Sequence, residues 1–577
     1  MLYPQSNPFR QVIDLSGFWE LRFDPETEGD HSTWAQGFAG GRPVAVPASW
    51  NDQFEDWRDY LGVTWYQTRF DIPLGWDPAR RRIALRFGSV NYLAEVWLNG
   101  EYVGQHEGGH LPFEFDVTSN VGSEGNLLVV RVDGELRPDR VPPGNVPEDT
   151  SLAFRLQGFP AAQFDFFPFC GIHRPVLLYA TDRGAVRDLT VITEIDGQDG
   201  LVCVTVECER GEEVTMRISL PGAGLEAEAV ITSSAELALT VPDAKLWSPE
   251  SPYLYDLAVE LGRGDEAFDR YTLPIGIRTV RVEDDALLLN GKPVYLRGFG
   301  RHEDFPVFGR GLAPAVIIKD YAMMRWMNAN SFRTAHYPYS EQMMDLADRL
   351  GFLVIDETPA VGLFFDEQGL DRRLQLCHQY VRELIARDKN HPSVIMWSLA
   401  NEPHSRMPEA KTAFRDLYDL CKSLDNTRPT TLVSMVGQDE EAFEFLDIMC
   451  LNRYNGWYSQ PCQLDEAISM LATDIDALYA KYGKPLIMTE FGADTVAGHH
   501  AQPPEMFSEE YQAELLTRYI ELLRSRPFVV GEHVWNMCDF KTSQSIHRMS
   551  AMNLKGVLTR DRRPKLAAHR LRDLWAR

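Results

Sequence analysis

The second half of the chain repeats one pattern, in which a short apolar run of strand type is followed by a stretch of helical periodicity such as 315–327. Strands that alternate with helices are typical of a parallel sheet. Eight such units in about 300 residues match the size of a TIM barrel, whose active site lies at the C-terminal ends of the strands. The predicted strands are 293–298, 331–335, 352–356, 394–399, 430–434, 447–452, 485–489 and 529–535.

The first half of the chain has a different pattern, with short runs of β-branched and aromatic residues between turn residues. Over 1–180 these runs predict a β-sandwich, and Asn99-Gly100 between two of them indicates a tight hairpin. A second all-β stretch over 181–279 has the strand spacing of a small immunoglobulin-like sandwich. We therefore predict three domains, the last of them a (β/α)8 TIM barrel over 280–577.

Charge and composition exclude several classes of partner. The 577 residues carry a net charge of −27, which argues against nucleic acid or an anionic membrane surface as a partner. The eight cysteines are scattered, no basic leader with an apolar core begins the chain, and no run of about 18 apolar residues occurs. We expect a cytoplasmic protein that does not bind membranes. No phosphate-binding loop or HExxH spacing is present, so neither a nucleotide cofactor nor a metal is expected.

Polar residues follow the ends of the predicted barrel strands. Two of them are glutamates, Glu402 after the fourth strand and Glu490 after the seventh. The other polar residues at these ends are Arg297, His302, Arg333, His336, Asp356, Glu357, Asn401, Asn452, Arg453, Tyr454, Trp535 and Asn536.

Two carboxyls at one barrel mouth suit hydrolysis of a glycosidic bond with retention of configuration. One carboxyl protonates the leaving oxygen and later activates water, while the other attacks the anomeric carbon. We assign the acid/base role to Glu402 and the nucleophile role to Glu490. Asn401 is placed to bind the sugar 2-hydroxyl, and Tyr454 to donate to the nucleophile and keep it ionised.

Several motifs resemble those of family 2 glycoside hydrolases. WSLANEP (397–403) is similar to the acid/base motif of this family, and MTEFGAD (488–494) to its nucleophile motif. RTAHYPY (333–339), IDE (355–357) and LNRYNGWY (451–458) match as well, as do segments of the first domain at 15–19, 46–52, 87–100, 106–116 and 164–176. The resemblance covers nearly the full length, and it implies a sugar-binding-like jelly roll over 1–180.

The stretch after the last barrel strand resembles the bacterial β-glucuronidases of this family. NLKG (553–556) is similar to the Asn-x-Lys motif with which those enzymes hold the sugar carboxylate. An anionic sugar in a net-acidic protein requires a placed cation, which Lys555 beside Asn553 supplies. The resemblance further implies that Asp165 reaches the 4-hydroxyl side of the sugar. The expected substrate-binding residues are Asp165, His336, Asn401, Asn452, Tyr458, Trp535, Arg548, Asn553 and Lys555.

The expected function is that of a retaining exo-glycosidase that needs no cofactor and cleaves small-molecule or oligosaccharide β-D-glucuronides. Two departures from the family pattern leave a β-galacturonidase or mixed uronidase as an alternative: Asn455 replaces an aromatic residue, and one extra residue separates Arg548 from Asn553. A β-galactosidase and a non-catalytic carbohydrate-binding protein are further alternatives. The family implies a homodimer or homotetramer, and the short segment 359–375 predicts an open pocket mouth.

Overall fold

A computed structural model of the chain describes residues 1–29, 31–145, 158–209, 211, 213–264, 266–365 and 369–576. Three units follow one another along the chain, and they confirm the predicted fold class of jelly roll, immunoglobulin-like sandwich and TIM barrel. In the part of the chain that is described, no helix is long and apolar enough to span a bilayer.

The first unit is a β-sandwich with a buried aromatic core that includes Trp50 and Tyr66. Its main sheets have the strand orders β1-β12-β5-β9 and β3-β2-β4-β10-β7-β8. The hairpin predicted at Asn99-Gly100 joins β7 to β8, with φ angles of 54° and 82° at the two turn residues. The elements are β1 (Gln11–Asp14), β2 (Gly17–Phe23), α1 (His31–Trp34), β3 (Arg42–Val46), β4 (Val63–Phe70), β5 (Arg81–Phe87), β6 (Val90–Asn91), β7 (Leu93–Leu98), β8 (Glu101–Glu107), β9 (Phe113–Asp116), β10 (Asn126–Asp133), β11 (Gly171–Ile172) and β12 (Val176–Asp182).

The second unit packs two small antiparallel sheets, with strand orders β13-β14-β17 and β16-β15-β18-β19. Alternate residues of its long strands are buried between the sheets, as a half-buried strand requires. The strands are β13 (Val186–Asp196), β14 (Asp199–Cys208), β15 (Val214–Leu220), β16 (Leu225–Ile231), β17 (Ser234–Val241), β18 (Tyr255–Arg263) and β19 (Glu266–Ile275).

The third unit is a closed parallel barrel of eight strands, β23 to β30. A small antiparallel sheet precedes it, made of β20 (Val280–Glu283), β21 (Ala286–Leu289) and β22 (Lys292–Pro293). The barrel elements are β23 (Leu296–Gly300), α2 (Pro314–Trp326), β24 (Ser331–Arg333), α3 (Glu341–Leu350), β25 (Leu353–Glu357), α4 (Leu370–Asp388), β26 (Val394–Asn401), α5 (Pro408–Leu424), β27 (Thr430–Ser434), β28 (Met449–Asn452), α6 (Leu464–Tyr482), β29 (Leu486–Glu490), α7 (Glu509–Arg524), β30 (Val529–Val534) and α8 (Leu566–Trp575).

One barrel unit differs from the predicted alternation. The connection from β27 to β28 carries two 3-10 helices, Gly437–Asp439 and Glu441–Glu444, in place of an α-helix. The segment 435–448 is the shortest connection between consecutive barrel strands, which limits the length of any helix within it. Beyond β30, the strands β31 (Phe540–Lys541) and β32 (Met552–Asn553) form a hairpin next to the barrel mouth.

Candidate active site

The side chains predicted for catalysis and substrate binding meet at the C-terminal end of the barrel. Glu402 follows β26, Asn452 ends β28, Glu490 ends β29 and Trp535 follows β30. Because the strands of a parallel barrel all end at one mouth, these residues line the same opening. Hydrogen bonds, ion pairs and ring contacts join these side chains and Arg333 into one network. The predicted residues in it are Asp165, His336, Asn401, Glu402, Asn452, Tyr454, Tyr458, Glu490, Trp535, Arg548, Asn553 and Lys555.

The carboxylate of Glu490 contacts one cation and one phenol. Its Oε1 accepts a hydrogen bond of 2.5 Å from Arg333 Nη2, and its Oε2 accepts one of 2.6 Å from Tyr454 OH. Arg333 also donates to Glu357 Oε1 at 2.6 Å, so its guanidinium bridges two buried carboxylates. Both donors to Glu490 favour its charged form and fix its position, as a nucleophile requires.

The carboxyl of Glu402 has a neutral partner instead. Asn452 Nδ2 donates to Glu402 Oε1 at 2.7 Å, and Thr489 Oγ1 donates to Asn452 Oδ1 at 3.0 Å, which sets the orientation of the amide. The backbone of Glu402 has a φ of 44°, in the left-handed region that is unusual for a residue with a side chain. Its N–H donates to Val433 O at 2.8 Å and so maintains this strained position at the end of β26.

Asn401 presents a free amide N–H to the pocket. Its Oδ1 accepts hydrogen bonds from Asn452 Nδ2 at 3.2 Å and from Arg333 Nη1 at 3.4 Å. Its Nδ2 has no acceptor among the residues that are described, and this orientation follows from the hydrogen-bond network. The amide can therefore donate to a sugar hydroxyl, which is the role predicted for it.

Burial raises the pKa values of both glutamates, but different neighbours oppose the rise at each one. Burial raises the pKa of Glu490, and the charge of Glu402 adds to the rise, whereas Arg333 and Tyr454 lower it. Burial also raises the pKa of Glu402, against a hydrogen bond from Asn452. The guanidinium and the phenol both favour the anion on Glu490, so these neighbours favour Glu402 as the carrier of a proton shared by the pair. The pair then offers one acid and one nucleophile.

His336 and Trp535 form a flat wall beside the nucleophile. Their rings are stacked with centroids 4.9 Å apart, and His336 Nε2 lies 3.6 Å from Glu490 Oε1. Burial lowers the pKa of His336 well below its usual value, and the charge of Arg333 lowers it further. The imidazole is therefore neutral, so the wall combines apolar ring faces with one polar nitrogen, as suits contact with a sugar ring.

The far end of the pocket carries two buried cations around one phenol. Lys555 Nζ lies 2.9 Å from Tyr458 OH, and Arg548 Nη2 lies 3.0 Å from the same oxygen. Lys555 is 1% exposed and Arg548 5%. Asn553 Oδ1 accepts a hydrogen bond of 3.0 Å from the Lys555 N–H and orders this turn. Clustered cations at one end of an otherwise acidic protein can attract a carboxylate.

Two aspartates form ion pairs with these cations. Asp494 forms a buried ion pair with Lys555, and its Oδ2 lies 3.8 Å from Arg548 Nη1. Although burial opposes the charge of Lys555, Asp494 raises its pKa, so the amine stays protonated. Asp165, from the jelly roll, accepts hydrogen bonds of 2.8 Å from Arg548 Nε and from Asn553 Nδ2. From the sequence, Lys555 is expected to pair with the sugar carboxylate. In the folded chain, Asp494 already supplies a counter-ion to Lys555.

Arg333, Glu357 and Asp494 are missing from the predicted site residues. Arg333 and Glu357 follow barrel strands but have no role assigned from the sequence, and Asp494 ends the 488–494 motif. Arg333 and Glu357 are fully buried, and Asp494 is 5% exposed. A signal for Asp494 was present in the sequence, since a lysine that holds a buried anion needs a second carboxylate whenever the ligand is absent.

The two departures from the family pattern lie in loops, and Asp165 contacts both Arg548 and Asn553 around the second of them. Ser550 and Ala551 both have a φ of 55°, so the extra residue is taken up in a tight loop between Arg548 and Asn553. Both ends of this loop reach Asp165. Asn455 Nδ2 contacts Gln460 Oε1 at 3.4 Å.

The open pocket mouth was predicted from the segment 359–375. Residues 366–368 of this segment lie outside the described residues.

One cluster elsewhere has the side chains of a metal site. In the described ranges, Asp345, Asp348 and His391 form the one group of three ligand-type residues whose atoms lie within 4.8 Å of one another. His391 Nδ1 lies 2.6 Å from Asp348 Oδ2. Burial would lower the pKa of His391, but Asp348 raises it to about 10. The protonated ring forms an ion pair, and this cluster lies at the end of α3 rather than at the barrel mouth.

Three family models match consecutive parts of the chain. They describe the sugar binding domain of glycosyl hydrolases family 2 over residues 12–182, a further family 2 domain over 185–278, and the family 2 TIM barrel domain over 280–577.

Relatives of known name align over the whole chain. A beta-glucuronidase of Paenibacillus borealis is 42% identical, and the alignment covers 100% of this chain and 98% of the relative. A β-D-glucuronidase structure from Dictyoglomus thermophilum has a TM-score of 0.91 at 41% identity, covering 100% and 99% of the two chains. The Ruminococcus gnavus β-glucuronidase in complex with D-glucuronic acid has a TM-score of 0.92 at 38% identity, with the same coverage. The chain belongs to family 2 of the glycosyl hydrolases.

Proposed function

We propose that this protein is an exo-acting β-glucuronidase that releases D-glucuronate from β-D-glucuronides with retention of configuration. The observation that carries the proposal is the position of Lys555 and Arg548 in one contact network with Glu402 and Glu490. The two glutamates alone would suit any β-glycoside, whereas the cations add a preference for an anionic sugar. The names of the relatives agree with this preference.

In the first step of the proposed mechanism, Glu490 attacks the anomeric carbon while Glu402 gives its proton to the glycosidic oxygen. The bond from the anomeric carbon to that oxygen breaks, and the aglycone leaves as an alcohol. Arg333 and Tyr454 fix the attacking carboxylate. The free N–H of Asn401 is placed to bind the 2-hydroxyl, where a hydrogen bond strengthens as positive charge develops on the ring.

In the second step, Glu402 acts as a base. It removes a proton from a water molecule, the water oxygen attacks the anomeric carbon, and the ester bond to Glu490 breaks. Two inversions give net retention, and both glutamates return to their starting protonation. In this proposal the sugar carboxylate binds Lys555, Arg548 and Asn553 in both steps. The family resemblance implies that Asp165, which contacts Arg548, binds on the 4-hydroxyl side of the sugar.

The proposal is tested by kcat/KM on 4-nitrophenyl β-glucuronide, β-galacturonide, β-glucoside and β-galactoside, with the anomer of the first product followed by NMR. We expect the glucuronide to exceed the glucoside by at least about 10²-fold, since both differ only at C6 and one desolvated charge contact is worth several kcal/mol. A galacturonide preference would move the assignment to the alternative uronidase. Comparable rates on glucuronide and glucoside would reject a uronidase.

We also propose that the enzyme acts in the cytoplasm as a homodimer or homotetramer. Eight free cysteines suit a reducing compartment, and the family resemblance suggests the assembly. Sedimentation equilibrium of the purified protein tests the assembly, and a monomer at micromolar concentration would contradict it.

A further inference from the structure

Two buried side chains, Lys565 and Gln512, form a clamp behind the far end of the pocket. Lys565 immediately precedes α8, and Gln512 lies near the start of α7. They are 1% and 0% exposed, respectively. A lysine is almost never buried to this degree unless its charge is paired and its N–H groups are bonded. The acceptors of the clamp therefore show what it holds in place.

The ammonium group of Lys565 bonds to three acceptors from different segments of the chain. Its Nζ donates to Thr495 O at 2.9 Å, to Leu554 O at 3.0 Å and to Asp539 Oδ1 at 2.8 Å. An ammonium group has three N–H donors, so all of them are used within the protein. Asp539, which is 4% exposed, balances the buried charge of Lys565.

The amide of Gln512 makes the same kind of link without a charge. Its Nε2 lies 3.1 Å from Ala493 O and 3.2 Å from both Lys555 O and Gly556 O. Because three carbonyl oxygens surround this end of the amide, it is the nitrogen end. The two N–H groups are shared among the three oxygens, as in three-centre hydrogen bonds.

The carbonyl acceptors of the clamp flank the ion pair at the far end of the pocket. They lie in the ranges 493–495 and 554–556, whose central residues are Asp494 and Lys555. Both side chains of the clamp bond to both ranges. Neither range belongs to a helix or a strand, so the clamp reinforces the few direct hydrogen bonds between them. It therefore helps to set the position of the cation relative to its counter-ion.

We propose that Lys565 and Gln512 are positioning residues, which hold Lys555 where it meets the sugar carboxylate and so maintain the preference for uronides. This rests on the proposed function, in which Lys555 binds that carboxylate. A binding group that moves by about 1 Å can cost about 10²-fold in rate. The carboxylate is bound in the ground state and the transition state alike, so a displaced Lys555 raises KM more than it lowers kcat. A sugar with a neutral C6 loses nothing at that end.

Lys565→Met tests the clamp, because it keeps the length of the side chain and removes all three hydrogen bonds. The stranded Asp539 can take up a proton, since burial raises its pKa to about 7 even beside Lys565. We expect the ratio of kcat/KM on 4-nitrophenyl β-glucuronide to that on the β-glucoside to fall by about 10- to 100-fold. The loss should lie mainly in KM for the glucuronide. The inhibition constant of D-glucuronate should rise in parallel, while kcat/KM on the glucoside stays near its original value.

The matched control is Lys484→Met, which also removes three hydrogen bonds from a lysine to the main chain. Lys484 Nζ donates to the carbonyl oxygens of Phe443, Glu444 and Leu446 at 2.8, 2.9 and 2.6 Å. It precedes β29, whose other end carries Glu490. We expect Lys484→Met to lower Tm and to leave the ratio of glucuronide to glucoside unchanged. The control thus separates a loss of stability from a displaced Lys555.

A Lys565→Met enzyme that keeps the full ratio, with a lower Tm like that of Lys484→Met, would overturn the positioning role and leave the uronidase proposal intact. An unaltered protein without a preference for the glucuronide would reject the proposed function, and the positioning role with it. If Lys565→Met does not fold, Gln512→Met is an uncharged change of similar size, which should lower the same ratio by about 10-fold. A full ratio in Gln512→Met would then refute the role of the clamp.

Discussion

Arg333 is the residue on which the proposed chemistry depends most after the two glutamates. Its guanidinium contacts Glu490, Glu357 and Asn401 at once, at 2.5, 2.6 and 3.4 Å. It therefore sets the charge of the nucleophile and the direction of the amide that is proposed to bind the 2-hydroxyl. Glu402 accepts a hydrogen bond from an amide, whereas Glu490 accepts one from a guanidinium. The different proposed roles of the two carboxyls therefore follow from their neighbours.

The roles of the glutamates predict different responses to loss of the carboxylate. Glu490→Gln should reduce kcat on every β-glucuronide by roughly 10⁴-fold or more, because no nucleophile remains. Glu402→Gln should lose about 10²–10⁴-fold on an alkyl glucuronide but far less on 4-nitrophenyl glucuronide, whose leaving group needs no proton. Added azide should accelerate Glu402→Gln. Equal losses on the two substrates in Glu402→Gln would reject the role assignment.

The phenol of Tyr454 should control the acid side of the pH profile. Its hydrogen bond lowers the pKa of Glu490, so Tyr454→Phe raises that pKa further. Turnover needs Glu490 ionised, and therefore the acid limb of kcat/KM should move to higher pH while the alkaline limb, set by Glu402, moves less. The control is Tyr418→Phe, which removes a distant hydrogen bond to Asp447. An acid limb that stays in place would show that Tyr454 does not act on Glu490.

At the level of the elements, the sequence predicted what local pattern determines. The run 430–434 coincides with β27 and the run 394–399 lies within β26, because the spacing of apolar residues specifies a strand directly. The sequence pattern predicts a helix between β27 and β28, where the structure has no α-helix, because that segment still shows apolar periodicity. Local sequence patterns could not identify which aspartate pairs with which cation. The Lys555–Asp494 contact spans 61 residues, and the Arg548–Asp165 contact spans 383.

Asp165 should affect kcat/KM on substrates whose sugar carries a carboxylate. Asp165→Asn leaves Arg548 without its acidic partner, so the Arg548 guanidinium is free to shift toward Asp494 or the substrate. We expect kcat/KM on the glucuronide to fall by about 10–10³-fold, as loss of a charged hydrogen bond at the sugar predicts. Asp59→Asn, whose partner Gln544 lies on the same barrel loop, is the matched control and should change little. Equal effects of the two variants would limit Asp165 to a structural role.

At the level of the whole molecule, the proposed site is built by two domains. The barrel supplies both glutamates and both cations, and the jelly roll supplies Asp165. The immunoglobulin-like sandwich contributes none of the predicted site residues. The chain has a net charge of −27, so an anionic substrate is expected to meet long-range repulsion before it reaches Lys555.

Ionic strength should therefore affect anionic and neutral substrates differently. Between about 0.02 and 0.2 M salt the Debye length falls below 10 Å, and the repulsion is largely screened. We expect kcat/KM on 4-nitrophenyl β-glucuronide to rise about twofold over this range, while the rate on the neutral glucoside stays constant. A clear fall for the glucuronide would mean that the local cations dominate its approach.

The decisive measurement is the ratio of glucuronide to glucoside kcat/KM in Lys555→Ala. Removal of Lys555 leaves the sugar carboxylate in a partly desolvated pocket without its partner, at about 3–5 kcal/mol or roughly 10²–10⁴ in kcat/KM, while a substrate with a neutral C6 loses nothing at that end. The variant Lys555→Ala/Asp494→Asn removes the stranded counter-ion as well and controls for a misplaced Asp494. We predict that the ratio collapses in both variants. A ratio that is unchanged in a folded Lys555→Ala enzyme would contradict the uronide assignment and leave a family 2 hydrolase of another specificity.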